Sequence, residues 1–300
     1  MRYSLFNHIN NVINGKEFTA EENNVNKRGK DALNKAQLNG GTINIELGEF
    51  RTLGKGITSA EVAPLHYDKV NESLLYKCTY INPQYNVKYP VIKNVAEWKE
   101  VGVSATNSGK TIYKNLNGKR IIAMLEVSRE YLSQNDREIE KHFIQAMQNE
   151  IDNAIIKAML SDAEETADNP KGILNGKEIT TIKSVDDLFS FALHVEQNTP
   201  NKCNYILSPS AKYKLCKLNN NLITNNSITD NEVITIGTAQ NDYIVFGDLS
   251  KIVVGKMGSV IVTPDHVTKA KEGKVVLCVE VFANFTICDD DAIGVARVEI

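Results

Sequence analysis

Ser108-Gly109-Lys110-Thr111 has the residue types that close a phosphate-binding loop, where backbone amides and a lysine cradle a nucleotide. Such a loop needs a glycine five positions before the Gly-Lys pair, and this chain has Ser104 there, with Gly102 out of register. The residues after Lys110 alternate as a strand does, whereas a phosphate loop opens a helix. Nucleotide chemistry is therefore not expected. His8, His66, His142, His194 and His266 are scattered, without a His-Glu-x-x-His or His-x-His motif and without cysteine or carboxylate at ligand spacing. Cys78, Cys203, Cys216, Cys278 and Cys288 are an odd set with no Cys-x-x-Cys pair, so they read as small buried hydrophobes and not as a disulfide framework or zinc knuckle. Asp289-Asp290-Asp291 could attract a cation, but neighbours on one short loop read as a solvated turn. Asp248 reads as a turn residue bonding its own backbone. There is no Gly-x-Ser-x-Gly elbow and no dinucleotide loop. No catalytic residue, cofactor or metal is expected, and the chain is not read as an enzyme.

The elements that would position side chains are clearer than any chemistry. Ile139, Phe143, Met147 and Ile151, with Ile144, Ala154, Ile155 and Ala158, recur at three- and four-residue spacing with no Gly or Pro between them. The spacing predicts one amphipathic helix over residues 136–160, roughly 37 Å long. Asn135 or Asp136 can cap it, Asp136, Glu138 and Glu140 suit its first turn, and Pro170 and Gly172 bar its continuation. Ser184 caps a second helix to Gln197, and Ser208-Pro209 starts a third after the strand at Asn204. Thr19 and Glu22 have capping-box spacing for a helix to about Leu38, whose apolar stripe of Val25, Ala32, Leu33 and Ala36 is thin; it reads as a solvated helix on a mobile terminus.

With 300 residues, 42% hydrophobic and 24% charged, the chain can bury a real core in one or two domains. A formal net charge of -3 leaves no footprint for holding nucleic acid by phosphate neutralisation. No apolar run approaches the ~18 residues of a membrane span, and the start MRYSLFNHINN lacks a signal-peptide core, so a cytosolic compartment and no membrane contact are expected.

The order of the pieces carries a resemblance. A strand ending in Val127-Ser128, the turn Arg129–Leu132, the long helix and an acidic linker closing in Asn169-Pro-Lys-Gly-Ile-Leu174 resemble the central signature of tailed-phage major capsid proteins with the HK97 fold. Ala96-Glu-Trp-Lys-Glu-Val-Gly102 and Tyr113–Ser128 resemble that family's E-loop hairpin, read here as two strands joined by a turn around Thr106 to Gly109. Asn204 to Leu218 resembles a strand and helix of its axial domain. Tyr243 to Val262, YIVFGDLSKIVVGKMGSVIV, resembles another of its motifs, with Gly247, Gly255 and Gly258 supplying positive φ at turns. The runs Val275–Phe285 and Ala292–Ile300 resemble its long strand and closing strand.

The resemblance implies an α+β HK97-like fold. Its parts would be an N-terminal helical segment at 1–50, acting as a short scaffold or propeptide; an N-arm at 51–94; an E-loop at 95–127; a peripheral domain at 128–180 and 262–286; and an axial domain at 181–261 and 287–300. It implies a homo-oligomer of hexamers and pentamers tiling an icosahedral virion capsid around double-stranded DNA, assembled in the host bacterial cytoplasm. Portal, maturation protease and decoration proteins are the partners implied. Trp98, Lys110, Tyr113 and Phe143 are the candidate inter-subunit contacts, Trp98 as a large apolar anchor. Some family members link a lysine of this hairpin to a neighbour's asparagine with help from a buried glutamate. Lys99, Lys110, Lys114 and Lys119 lie there, but no such trio is placed by the sequence, and they read as solvated. The alternatives are an encapsulin-like compartment shell, of the same fold, and a soluble enzyme or ligand-binding α+β domain.

Overall fold

The structure is a computed structural model and describes residues 3–32, 43–46, 74–83, 86–92, 111–133, 137–199, 201–237, 239 and 242–299. Its longest helix, α4 (Arg137–Met159), follows helices α1 (Leu5–Ile13), α2 (Ala20–Ala32) and the short α3 (Arg129–Ser133). The apolar spacing of α4 works as expected: Ile144, Met147, Ile151 and Ile155 are buried. Ile156 and Met159 are buried too, whereas Ala154 is exposed, so the stripe runs to one side of the predicted line.

The face of α4 lies on a five-stranded sheet. Strands β1 (Ile43–Glu46), β11 (Ile252–Asp265), β12 (Lys274–Ile287) and β5 (Lys119–Ser128) pair antiparallel in that order, and β2 (Thr79–Ile81) pairs parallel with β11. Side chains alternate across a strand. Val275, Leu277, Val279 and Val281 of β12 therefore enter the core with α4, while Val276, Cys278 and Glu280 face outward. The register of β11 shifts between Met257 and Ile261, at Gly258 (φ 71°). Gly255 sits inside this strand opposite Asn284 and has no positive φ, so the expected turn there is instead an uninterrupted pairing.

A second, six-stranded sheet has the order β6 (Ile179–Ile182), β13 (Ile293–Val298), β10 (Tyr243–Gly247), β7 (Asn204–Leu207), β9 (Asn231–Thr235) and β8 (Ser227–Ile228). Tyr205, Leu207, Ile244, Phe246, Ala296 and Val298 point to the side covered by α5 (Val185–Glu196) and α6 (Pro209–Leu218). The opposite parity, Ile206, Val245, Ile293 and Val295, joins the core of α4. Both faces are thus buried. Two caps are as read: Ser184 and Asp187 form a full capping box on α5, and Ser208 accepts from Ala211 N–H with Pro209 in the first turn of α6, while the cap expected at Asn135 or Asp136 lies outside the described residues.

The N-terminal segment departs from expectation. The capping box of Thr19 and Glu22 is present, but the helices are not a solvated terminus. Leu5, Phe6 and Ile9 of α1 and Val25 of α2 lie in the core with α4. Each apolar side chain so buried contributes about 1.5–3 kcal/mol, more than a capping bond alone supplies.

The hairpin also differs. What reads as one strand from Tyr113 to Ser128 turns at Asn117-Gly118 into β4 (Thr111–Leu116) and β5. The two strands do not pair with each other, β4 joining one sheet and β5 another through β12, so Asn117-Gly118 is a crossing between sheets and not a hairpin turn. β4 pairs antiparallel with β3 (Val87–Ile92), a two-stranded ribbon in which Pro90, lacking an N–H, is tolerated at an edge. The predicted turn at Thr106 to Gly109 lies outside the described residues.

Candidate functional site

The motifs shared with the resemblance turn out to be joints. After α4 the chain closes on itself: Ile173 N–H donates to Met159 O (2.8 Å), Leu174 N–H to Ser161 O and Gly172 N–H to Ala163 O. A Cβ at Gly172 would lie 2.0 Å from Ser161 O, so only glycine permits the closure that buries Ile173 and Leu174. At the second joint Gly247 (φ 153°) lets β10 pass Ala292, whose O would lie 2.1 Å from an added Cβ. Asp248 beside it is buried and accepts from Ser250 N–H (2.9 Å), Ser250 Oγ (2.6 Å) and Asn201 Nδ2 (2.7 Å). Burial alone would raise its carboxyl; the donors from Ser250 and Asn201 outweigh that and hold it below the usual range. This is the turn role expected for Asp248.

The acidic triplet is also spoken for. Asp290 meets Lys114 at 3.4 Å and Lys177 at 3.7 Å, and Lys177 Nζ donates to the carbonyls of Asp290 and Ile293. Burial pushes the Lys177 ammonium down, opposed by Asp290 and Asp291. A cleft of about 210 Å3 lies here, but two of its lysines are held by Asp290. Among the described residues no group of three His, Cys, Asp or Glu could hold a metal. The cysteines there are free; Cys78 and Cys203 are buried, and burial pushes their thiols up to about 12 and about 11, while the other three are half-buried.

What the chain does present is apolar surface. On the ribbon Ile112 and Tyr113 are exposed, Tyr113 by 61%. Ile122 and Met124 point outward from β5, the edge of the five-stranded sheet, with Met124 74% exposed. Phe189 and Leu193, one turn apart on α5, are exposed as well. The ribbon covers the outer sheet face only at one end, through Leu116, Val253 and Met257.

Of the candidate contacts, Trp98 and Lys110 lie outside the described residues. Tyr113 is on the ribbon's open side. Phe143 is only 9% exposed and packs edge-on against Phe6 at 5.5 Å, so within the chain its ring serves α1. Sequence reasoning did not single out Ile122 and Met124 as exposed. The run Ile121-Ile-Ala-Met-Leu125 is apolar on both parities, and a strand buried on one face leaves one parity outside.

The family model for the phage capsid family matches residues 69–298. Among curated proteins none matches the chain. Solved structures share its fold. The capsid of a native GTA particle is 12% identical with a TM-score of 0.58, covering 82% of this chain and 95% of that one. A Mycobacterium phage Bobi chain is 12% identical with a TM-score of 0.58, covering 84% and 98%. A Mycobacterium phage Adephagia chain is 15% identical with a TM-score of 0.56, covering 86% and 99%. The family match over residues 69–298 and the shared fold point the same way. The chain belongs to the phage capsid family, with an HK97-like fold, and is a structural major capsid subunit whose copies form the virion shell.

Proposed function

We propose that copies of this chain associate as hexamers and pentamers that close an icosahedral shell around double-stranded DNA, with assembly in the bacterial host's cytoplasm. In this reading residues 51–94 are the N-arm, 95–127 the E-loop, 128–180 and 262–286 the peripheral domain, and 181–261 and 287–300 the axial domain. Tyr113, with Trp98 and Lys110, meets a neighbouring subunit, and portal, maturation protease and decoration proteins are the partner classes. The observation that carries it is the placing of exposed apolar pairs on three separate elements: Ile112 and Tyr113, Ile122 and Met124, and Phe189 and Leu193. One binding face would serve a dimer; several faces serve a tiling, in which many weak contacts act together.

The test is sedimentation of the purified chain, then imaging and nucleic-acid assay of fast fractions. Rings of five and six, or closed shells, are expected, and particles recovered from infected cells should protect DNA from nuclease. A stable monomer or dimer across salt and concentration overturns intrinsic assembly. Shells holding a protein cargo and no DNA would put the encapsulin-like compartment in its place.

A further inference from the structure

The matched family region begins at residue 69, yet a tightly built part of the main core comes from well before it. Three independent attachments fix this segment. The first is polar: Glu140, 6% exposed on α4, stands at the N-terminus of α1, accepting from Ser4 Oγ (2.7 Å) and from Leu5 N–H. A helix start has unpaired amides and a partial positive charge, so a carboxylate brought from another helix completes it. Ser4 itself caps the helix by accepting from Asn7 N–H. The second is apolar: Leu5, Phe6 and Ile9 are fully buried, and Phe6 sits between Tyr131 and Phe143 at 5.8 and 5.5 Å. The third is backbone: Ile43–Glu46 pairs with Ser259–Val262 and closes that stretch of the β11 edge. Inside the segment, buried His8 bonds Tyr3 Oη (3.1 Å) and Asn26 Nδ2 (3.2 Å), and Glu22 accepts twice from Asn11, so α1 and α2 hold each other.

We infer that residues 3–32 and strand β1 form a clasp that the chain carries on its own long helix and sheet, keyed by Glu140, and that this clasp stays in the assembled shell instead of being shed as a leader. A removable scaffold needs a separable face. Here separation would uncover Phe143, take the Ser4 and Leu5 donors from the buried Glu140 carboxylate and open the β11 edge along Ser259–Val262. Glu140 is a positioning residue: it registers α1 on α4 through Ser4 and the Leu5 N–H. Only the retention step rests on the shell reading; the clasp belongs to the single chain.

The experiment is amide hydrogen exchange on the full chain, with intact mass measured on assembled particles. The α1 amides of residues 9–13 should exchange within about tenfold of the α4 amides of 147–159, because both open with the same core. Glu140→Gln keeps size and shape but removes the charge and turns one of the two accepting oxygens into a donor, so Ser4 and Leu5 no longer each have an oxygen to donate to. It should speed α1 exchange roughly tenfold or more while leaving the strands of the second sheet unchanged. Alpha1 amides that exchange at the rate of an unfolded peptide in the parent chain would overturn the clasp. In particles, a mass retaining residues 3–46 is expected, and a mass lacking them overturns retention. If no particles form, the shell reading fails while the exchange result still decides the clasp.

Discussion

The two sheets divide the work of the molecule. The six-stranded sheet is buried on both faces, by α5 and α6 on one side and by the core of α4 on the other. The five-stranded sheet is buried on one face and leaves Ile122, Met124, Cys278 and Glu280 on the other, with the ribbon over one end only. A residue in the central strands β7 and β10 of the first sheet has a neighbour whichever way it points, whereas the edge strand β6 is exposed at Ile179 to Thr181. In the second, Arg120 and Glu280 pair on the outer face, and beside them Ile122 and Met124 stay exposed in the single chain. In the proposed shell, stability and assembly fall on different residues, on successive ones of the same strand at Met124 and Leu125.

Substitutions can break this comparison in order of expected effect. The largest lies in the doubly buried sheet: Gly247→Ala should cost on the order of 4 kcal/mol, since a methyl group would strike the Ala292 carbonyl and the φ of 153° is strained for an L-residue. Chemical denaturation should show the loss, and soluble chain with unchanged stability would refute the joint. Next is the inner face of the one-sided sheet, where Leu277→Ala should cost about 2–5 kcal/mol through a cavity against the core of α4. A cost under about 0.5 kcal/mol would mean that this face is not the core.

The third concerns pH and the N-terminal cover of the same core. Burial lowers the His8 imidazole to about 4 from its ordinary 6.5, with Glu22 opposing. The folded chain therefore keeps His8 neutral while the unfolded chain takes up a proton below pH 6.5. The contribution is fully present above about pH 6.5 and declines as pH falls towards 4, by roughly 3 kcal/mol in all. The difference in stability between the parent and His8→Gln should shrink over that window. A difference constant from pH 7 to 4 would show that His8 titrates as it does in solvent.

Much of this was legible because it is local. The α4 boundaries fell one residue inside the expected 136–160, and Ser184, Ser208 and Thr19 cap as their spacing says, since a cap involves atoms a few residues apart. What stayed hidden depends on distant partners. Leu5, Phe6 and Ile9 are too few to announce a core element, and the carboxylate that fixes them is Glu140, 135 residues away from Leu5. The crossing at Asn117-Gly118 depends on separate partners, β3 for β4 and β12 for β5. Of the candidate site, Tyr113 is on open surface, Phe143 is turned inward to Phe6, and Trp98 and Lys110 fall outside the described residues. The family order of joints was readable even so, because Gly172 and Gly247 are places where any side chain would collide.

The smallest effect on stability tests the comparison most sharply. Met124 is 74% exposed, and its register partner Cys278 shares the outer face, so Met124→Ser removes little that the single chain uses. Its unfolding free energy should stay within about 0.5 kcal/mol of the parent. Leu125, the next residue, points to the core, so Leu125→Ser should destabilise the chain by clearly more. Assembly should separate the pair differently. A subunit that meets several neighbours repeats any lost contact at every copy, so even a small loss per contact should shift the concentration at which particles form. Met124→Ser should thus leave the denaturation midpoint unchanged and raise the assembly threshold, both read on one preparation. If threshold and midpoint both stay with the parent, the open face of the five-stranded sheet is ordinary solvated surface, and contacts between subunits are carried elsewhere on the chain.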